Sequence, residues 1–124
     1  VNMPDSVTHI GEGAFSHCFS LSGIELSQGL VSVGKEAFYN CAILKEVHLP
    51  DGVQIIGDSA FENCGQLKQV VIPASLTDLG YYAFHNCSYG MRIYFTGSSE
   101  EWQAVLVEPG KLSSDISVRY NYKP

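Results

Sequence analysis

Apolar residues recur along this chain every 23 positions. Phe15, Phe38, Phe61 and Phe84 keep that spacing, as do Cys18, Cys41, Cys64 and Cys87. So do Gly11, Gly34, Gly57 and Gly80, and Ala14, Ala37, Ala60 and Ala83. Softer columns run beside them: Ile10, Val33, Ile56 and Leu79; Ile24, Val47, Val70 and Ile93; Leu26, Leu49, Ile72 and Phe95. A fixed period of this size marks a repeat architecture in which one unit is one coil of chain. A lone coil cannot bury its apolar side, so the coils must stack and share a core.

The pattern inside one unit predicts its parts. In Leu21-x-x-Ile24-x-Leu26 and its equivalents, Ile24 and Leu26 point the same way by the two-residue period of a strand. Pro50 and Pro73 follow and stop that strand, because proline has no N–H for a ladder. The next aliphatic pair, such as Val53 and Ile56, makes a second inward-facing extended piece. Gly57 turns the chain, which implies a backbone that a side chain would strain. Ala60, Phe61 and Cys64 share one face at i, i+1, i+4, the spacing of a short helical turn. The expected fold is α/β: a right-handed coil stack with a parallel sheet on one side, short helical turns on the other, and each phenylalanine stacked on the next.

Residues 1–97 carry four such repeats, and residues 98–124 read as a C-terminal helix-strand cap. Val1 and Met3 align with Ile24 and Leu26, so the chain opens inside a strand, as a piece of a longer array would. Ser27 replaces proline in the first full unit. Gly90 stands where Leu21, Leu44 and Leu67 stand, and Tyr89 or Met91 must fill the gap. Ser98-x-x-Glu101 is a capping box that starts a helix. Trp102, Val105 and Leu106 lie on one face and can close the open end of the core, and Pro109-Gly110 ends the helix. Ile116, Val118, Tyr120 and Tyr122 alternate with Ser117, Arg119 and Asn121, the pattern of a final half-buried strand.

From Val53 one unit reads Val-x-x-Ile-Gly-x-x-Ala-Phe-x-Asn-Cys-x-x-Leu-x-x-Val-x-Ile-Pro. This resembles the BspA-type (Treponema-type) leucine-rich repeat family over residues 1–97, and Tyr94 to Trp102 resembles the segment that often ends such arrays. The resemblance implies a leucine-rich-repeat solenoid. It also implies a non-catalytic interaction module of a secreted or cell-surface bacterial protein, similar to adhesins that contact host proteins, extracellular matrix, other cells or glycans. The alternatives are a structural spacer with no binding of its own and an intracellular scaffold.

Charge narrows the partners. Thirteen acidic residues against seven basic give a net charge of −6, which disfavours nucleic acid and anionic membrane. Charged residues make up only 16% and hydrophobic ones 45%, which argues against a disordered chain. The longest uncharged stretch is too rich in glycine and serine to span a bilayer, so no membrane insertion is expected. No basic-then-apolar secretion signal opens the sequence, so an extracellular or cell-surface location rests on the resemblance alone.

Four cysteines are the obvious reactive groups. Their spacing matches no zinc motif, whose ligands pair about two to four residues apart. Stacked coils put the Cα atoms about 4.8 Å apart, but parallel Cβ vectors leave the Cβ atoms beyond the usual disulfide range. A ladder of buried thiols packed as small hydrophobes is the expectation, with a disulfide as the alternative. His17, Asn40, Asn63 and Asn86 precede the cysteines. His17 and Cys18 are adjacent and do not face each other, so they make a poor nucleophile pair. Asparagine in that column is expected to end each turn and to hydrogen-bond backbone groups. No paired carboxylates, nucleophile elbow, phosphate loop or metal motif appears, and neither a cofactor nor a metal is expected. An enzyme would need a pocket of convergent titratable groups, which a short coil stack is ill suited to form.

What varies while the framework repeats is the surface. The outward slots of the sheet are Gly23 and Glu25, Glu46 and His48, Gln69 and Val71, and Arg92 and Tyr94. Glu25, His48, Val71 and Tyr94 form one row across the strands. An outward Val71 and Tyr94 would make a small apolar patch beside charge, a fitting centre for a contact with a protein or glycan partner. The tyrosine-rich edge of Tyr39, Tyr81, Tyr82 and Tyr89 is a second candidate for such contact, or a cover for the last coil.

Overall fold

The computed structural model describes residues 3–124. Its strands are β1 (His9–Ile10), β2 (Ser32–Val33), β3 (Glu46–His48), β4 (Ile55–Ile56), β5 (Gln69–Ile72), β6 (Asp78–Leu79), β7 (Arg92–Phe95) and β8 (Ser117–Arg119), with helix α1 (Ser99–Val105) before the last. They form two parallel sheets, ordered β1-β2-β4-β6 and β3-β5-β7-β8. Each register follows the sequence columns: Ile10 pairs with Val33, Val33 with Ile56 and Ile56 with Leu79, while Val47 pairs with Val70 and Val70 with Ile93. The chain is thus a leucine-rich-repeat solenoid, and the second extended piece of each coil builds a ladder of its own. The reading of Val1 lies outside the described residues. Met3 is half-buried and packs against the core.

The third side of the coil differs from expectation. Ala60, Phe61 and Cys64 lie in a run of tight turns and form no helical turn. The amides of Ala60, Glu62 and Cys64 donate to the carbonyls of Gly57, Ser59 and Phe61, three residues back. The amides between them, Ser59, Phe61 and Asn63, donate instead to Tyr81, Ala83 and His85 of the next coil. A helix would spend every N–H within its own coil. Alternating turns free every second one to bind the neighbour. Two residues per coil become left-handed to achieve this, Gly13, Glu36, Ser59 and Tyr82 in one column and His17, Asn40, Asn63 and Asn86 in the other. Asparagine tolerates that conformation better than most residues.

The phenylalanines stack as expected. Successive ring centroids from Phe15 to Phe84 lie 5.1, 5.0 and 5.4 Å apart with planes within 6° of parallel. The glycine column has a different purpose from the one read in the sequence. None of Gly11, Gly34, Gly57 and Gly80 is left-handed. A Cβ on Gly34 would lie 2.7 Å from the Ile10 carbonyl oxygen, and one on Gly57 would lie 2.6 Å from the Lys35 nitrogen. Gly34, Gly57 and Gly80 are bare because the preceding coil's backbone runs where a side chain would stand.

The departures from the repeat are each accommodated locally. Ser27 is fully buried; its hydroxyl donates to the Val7 carbonyl at 2.6 Å and accepts from the Gly29 amide at 3.1 Å. Met91 is buried and fills the gap beside Gly90, whereas Tyr89 is 92% exposed. Ser98 and Glu101 make both bonds of the capping box, at 3.1 and 3.0 Å. Trp102 and Val105 are buried, and the Trp102 ring lies 4.8 Å from Phe95. The helix stops at Leu106, before Pro109-Gly110. The last strand does more than close the end: β8 pairs parallel to β7 and extends the sheet by one strand.

Two substitutions test this packing. Phe61→Ala is expected to cost about 3–5 kcal/mol in a urea melt, as for a large core aromatic; a loss under about 1 kcal/mol would remove the ring from the core. Gly57→Ala is expected to cost about 1–3 kcal/mol by overpacking. Gly11→Ala, where nothing lies within 4 Å of the new carbon, is expected to be close to neutral.

Candidate functional site

The sheet formed by β3, β5, β7 and β8 carries two outward rows. One runs Glu46, Gln69, Arg92, Ser117, and the other His48, Val71, Tyr94, Arg119. Gly23 and Glu25 precede them by the same 23-residue step, and Glu25 forms an isolated bridge. The structure therefore brings the sequence-predicted residues together in the predicted rows. Ser117 and Arg119 are additions. The alternation around Val118 marked a strand, but nothing in it specified a neighbour.

Val71 needs correcting. It lies in the outward register yet is only 7% exposed. Its register partners His48 and Tyr94 are larger, and paired strands at about 4.8 Å leave a short side chain between two long ones little open surface. Tyr94 is half-buried, with its ring 4.8 Å from Tyr122. The expected apolar patch is thus a flush valine beside a packed aromatic pair. Glu25, Glu46, His48 and Arg92 are exposed, and Gln69 is half-buried. Gln69 Nε2 donates to Glu46 Oε2 at 3.4 Å, and His48 Nε2 lies 3.9 Å from Glu46 Oε1.

The face is polarised. Glu25 and Glu46 lie on its first coils and Arg92 and Arg119 on its last. At the acidic end a groove of about 510 Å³ is lined by Met3, Asp5, Ile24, Glu25, Glu46 and His48 among others. The Glu46 and His48 side chains on its rim are more than half exposed. Such solvated groups supply charge at the groove's rim.

The other candidates are taken up by the framework. All four cysteines are free thiols. Cys41, Cys64 and Cys87 donate to the carbonyls of Phe15, Phe38 and Phe61 at 3.1, 3.1 and 3.3 Å, so each thiol ties its coil to the one before. The adjacent Cys41 thiol and burial push Cys64 up; burial pushes Cys87 up to about 12. The side chains of the column before the cysteines also link coils, bonding to other side chains and not to backbone groups as expected. Asn86 Nδ2 donates to Asn63 Oδ1 at 3.0 Å, Asn63 Nδ2 donates to the Tyr39 hydroxyl at 3.3 Å, and Asn40 Nδ2 lies 3.2 Å from His17 Nδ1.

The tyrosines form no single surface, because they occupy four different positions of the repeat. The Tyr81 hydroxyl donates to Glu108 at 2.6 Å, and Lys111 Nζ sits 4.8 Å above its ring. Tyr81 thus anchors the C-terminal segment, and the Glu108 carboxylate raises its pKa. Tyr82 meets His85 edge-on at 5.3 Å.

Comparison with known proteins places the chain. Residues 1–103 match the BspA type leucine rich repeat region. A leucine rich cell surface protein from Faecalibacterium prausnitzii is 39% identical with a TM-score of 0.82, over 89% of this chain and 29% of that one. The leucine rich repeat protein TpLRR of T. pallidum is 30% identical with a TM-score of 0.64, over 75% of this chain and 47% of that one. The pneumococcal vaccine antigen PcpA is 21% identical with a TM-score of 0.66, over 98% of this chain and 36% of that one, a likeness of fold alone. The chain spans less than half the length of each. No curated protein matches it.

Two predictions follow from the placement of Val71 and the thiols. Val71→Ser is expected to lose about 1–2 kcal/mol of stability as buried methyls are removed; no loss would return Val71 to the open surface. Cys87 holds its proton when folded beyond the pH at which an unfolded thiol ionises. The folded state then binds more protons, so stability is unaffected below about pH 8.5 and falls as pH rises above it. Urea midpoints at pH 7.5 and 10.5 measure the fall, and Cys87→Ala is expected to flatten it.

Proposed function

The chain belongs to the BspA-type leucine-rich repeat family, and from that premise we propose that its open sheet face is a protein-binding surface of a bacterial surface protein. One observation carries the reading: the buried columns repeat almost without change, while the outward rows differ at every coil. Glu25, Glu46, His48, Gln69, Arg92, Tyr94 and Arg119 make a small, open polar face with charge at both ends, of the kind that contacts another macromolecule. The finer reading is adhesion to a host protein, matrix or another cell, as the family resemblance implies. The similar F. prausnitzii protein is described as a cell surface protein, which supports that setting. No described helix is long and apolar enough to cross a membrane. The function is binding without catalysis, since the titratable groups of the face are solvated and spread along it.

A binding screen against extracellular-matrix proteins and glycans at physiological salt tests this. A saturable protein ligand whose affinity falls at least tenfold in an Arg92→Ala/Tyr94→Ser variant of native fold is the expected result. Binding that ignores those substitutions would move the site off the sheet face. Absence of any ligand would favour the spacer.

A further inference from the structure

The charges on the sheet face reverse sign about its centre. Counting across the strands, the first row reads Glu25, His48, Val71, Tyr94, Arg119 and the second Gly23, Glu46, Gln69, Arg92, Ser117. Val71 and Gln69 are the midpoints. Two such faces can be packed about a two-fold axis that lies between them, parallel to the strands and over Val71. That operation reverses the order of the coils and keeps each row facing its own counterpart. Glu25 then meets Arg119 of the second copy, Glu46 meets Arg92, and His48 meets Tyr94. Each contact occurs twice, as an isologous interface requires.

We propose that the occupant of this face is a second copy of the same chain, docked across the sheet with its order of coils reversed. The proposal rests on the reading of the sheet face as a protein-binding surface and names its partner. Four opposite-charge pairs form and no like charges meet. Gly23 faces Ser117, which adds no bulk. Val71, flush with the sheet at 7% exposed, leaves no ridge on the axis, so the faces can approach closely. The aromatic pair of Tyr94 and Tyr122 offers a ring surface to the opposing His48. Four strands and the Glu25 bridge at about 4.8 Å span only about 20 Å, so the contact is well below the roughly 800 Å² per partner of a stable dimer. It is therefore weak, salt-sensitive and reversible, suited to many copies held side by side or on facing surfaces, where avidity multiplies weak contacts.

Sedimentation of the chain up to about 0.5 mM tests the proposal, at low salt and at about 0.5 M NaCl, where exposed charges are screened. Wild type is expected to self-associate at low salt and to weaken at least tenfold at high salt. Two charge-reversed chains, Glu25→Arg/Glu46→Arg and Arg92→Glu/Arg119→Glu, are each expected to remain monomeric, because each then opposes like charges. Mixed one to one, they are expected to form a heterodimer at least as tight as the wild-type pair, since every contact is again between opposite charges. Circular dichroism confirms that both variants fold.

A wild type that stays monomeric would overturn the proposal, and so would a mixture no tighter than its components. The first variant reduces the net charge from −6 to about −2, two units per exchange; if it associated more tightly than wild type, overall repulsion and not pairing would be in control. A monomeric chain that binds a matrix protein through Arg92 and Tyr94 would discard the second copy and keep the sheet-face reading. Self-association that persists in both reversed chains would place the contact elsewhere.

Discussion

Every part of this molecule answers to one distance. A coil must lie about 5 Å from the next along its whole circumference, because paired strands impose that spacing. The phenylalanine rings keep it, at 5.0 to 5.4 Å. The glycine column exists because backbones at that spacing leave no room for a Cβ. The turns alternate their amides between their own coil and the next for the same reason. Thiols and asparagine amides add bonds at the same step. The outward rows are in register because the inward ones are.

That constraint explains why the architecture could be read from sequence and where the reading stopped. A column that must repeat its shape at every step repeats its residue, so the period, the strand registers and the phenylalanine stack were visible in advance. The capping box at Ser98 and Glu101 was visible because its logic is local. The turn region was not, since spacing of i, i+1, i+4 fits a helical turn and a chain of tight turns equally. What separates them is where the alternate amides go, a property of the neighbouring coil. The glycines were misread for a similar cause: one residue type serves both a left-handed turn and a close approach, and the approach is invisible within a single coil.

The surface was less legible than the core. The rows containing Glu46, His48, Gln69, Arg92 and Tyr94 follow directly from strand alternation. Exposure does not, because it depends on neighbours' sizes. Val71 points outward and is still only 7% exposed, in register with the larger His48 and Tyr94. Arg119 could not be placed at all until β8 was seen to pair with β7, and only then does the face acquire its basic end. A repeat stack of this kind separates two tasks: the columns hold the coils together, and the outward slots are free to carry whatever recognition the protein needs.

Amide hydrogen exchange is the most direct test of a stack bonded to its neighbours on every side. Phe38, Asn40, Phe61 and Asn63, whose amides donate across to the next coil, are expected to exchange about as slowly as the strand amides of Val70 and Ile93. Turn amides exchanging freely beside protected strands would mean that the turns hang from two sheets without bonding to one another, and the single-distance account would fail.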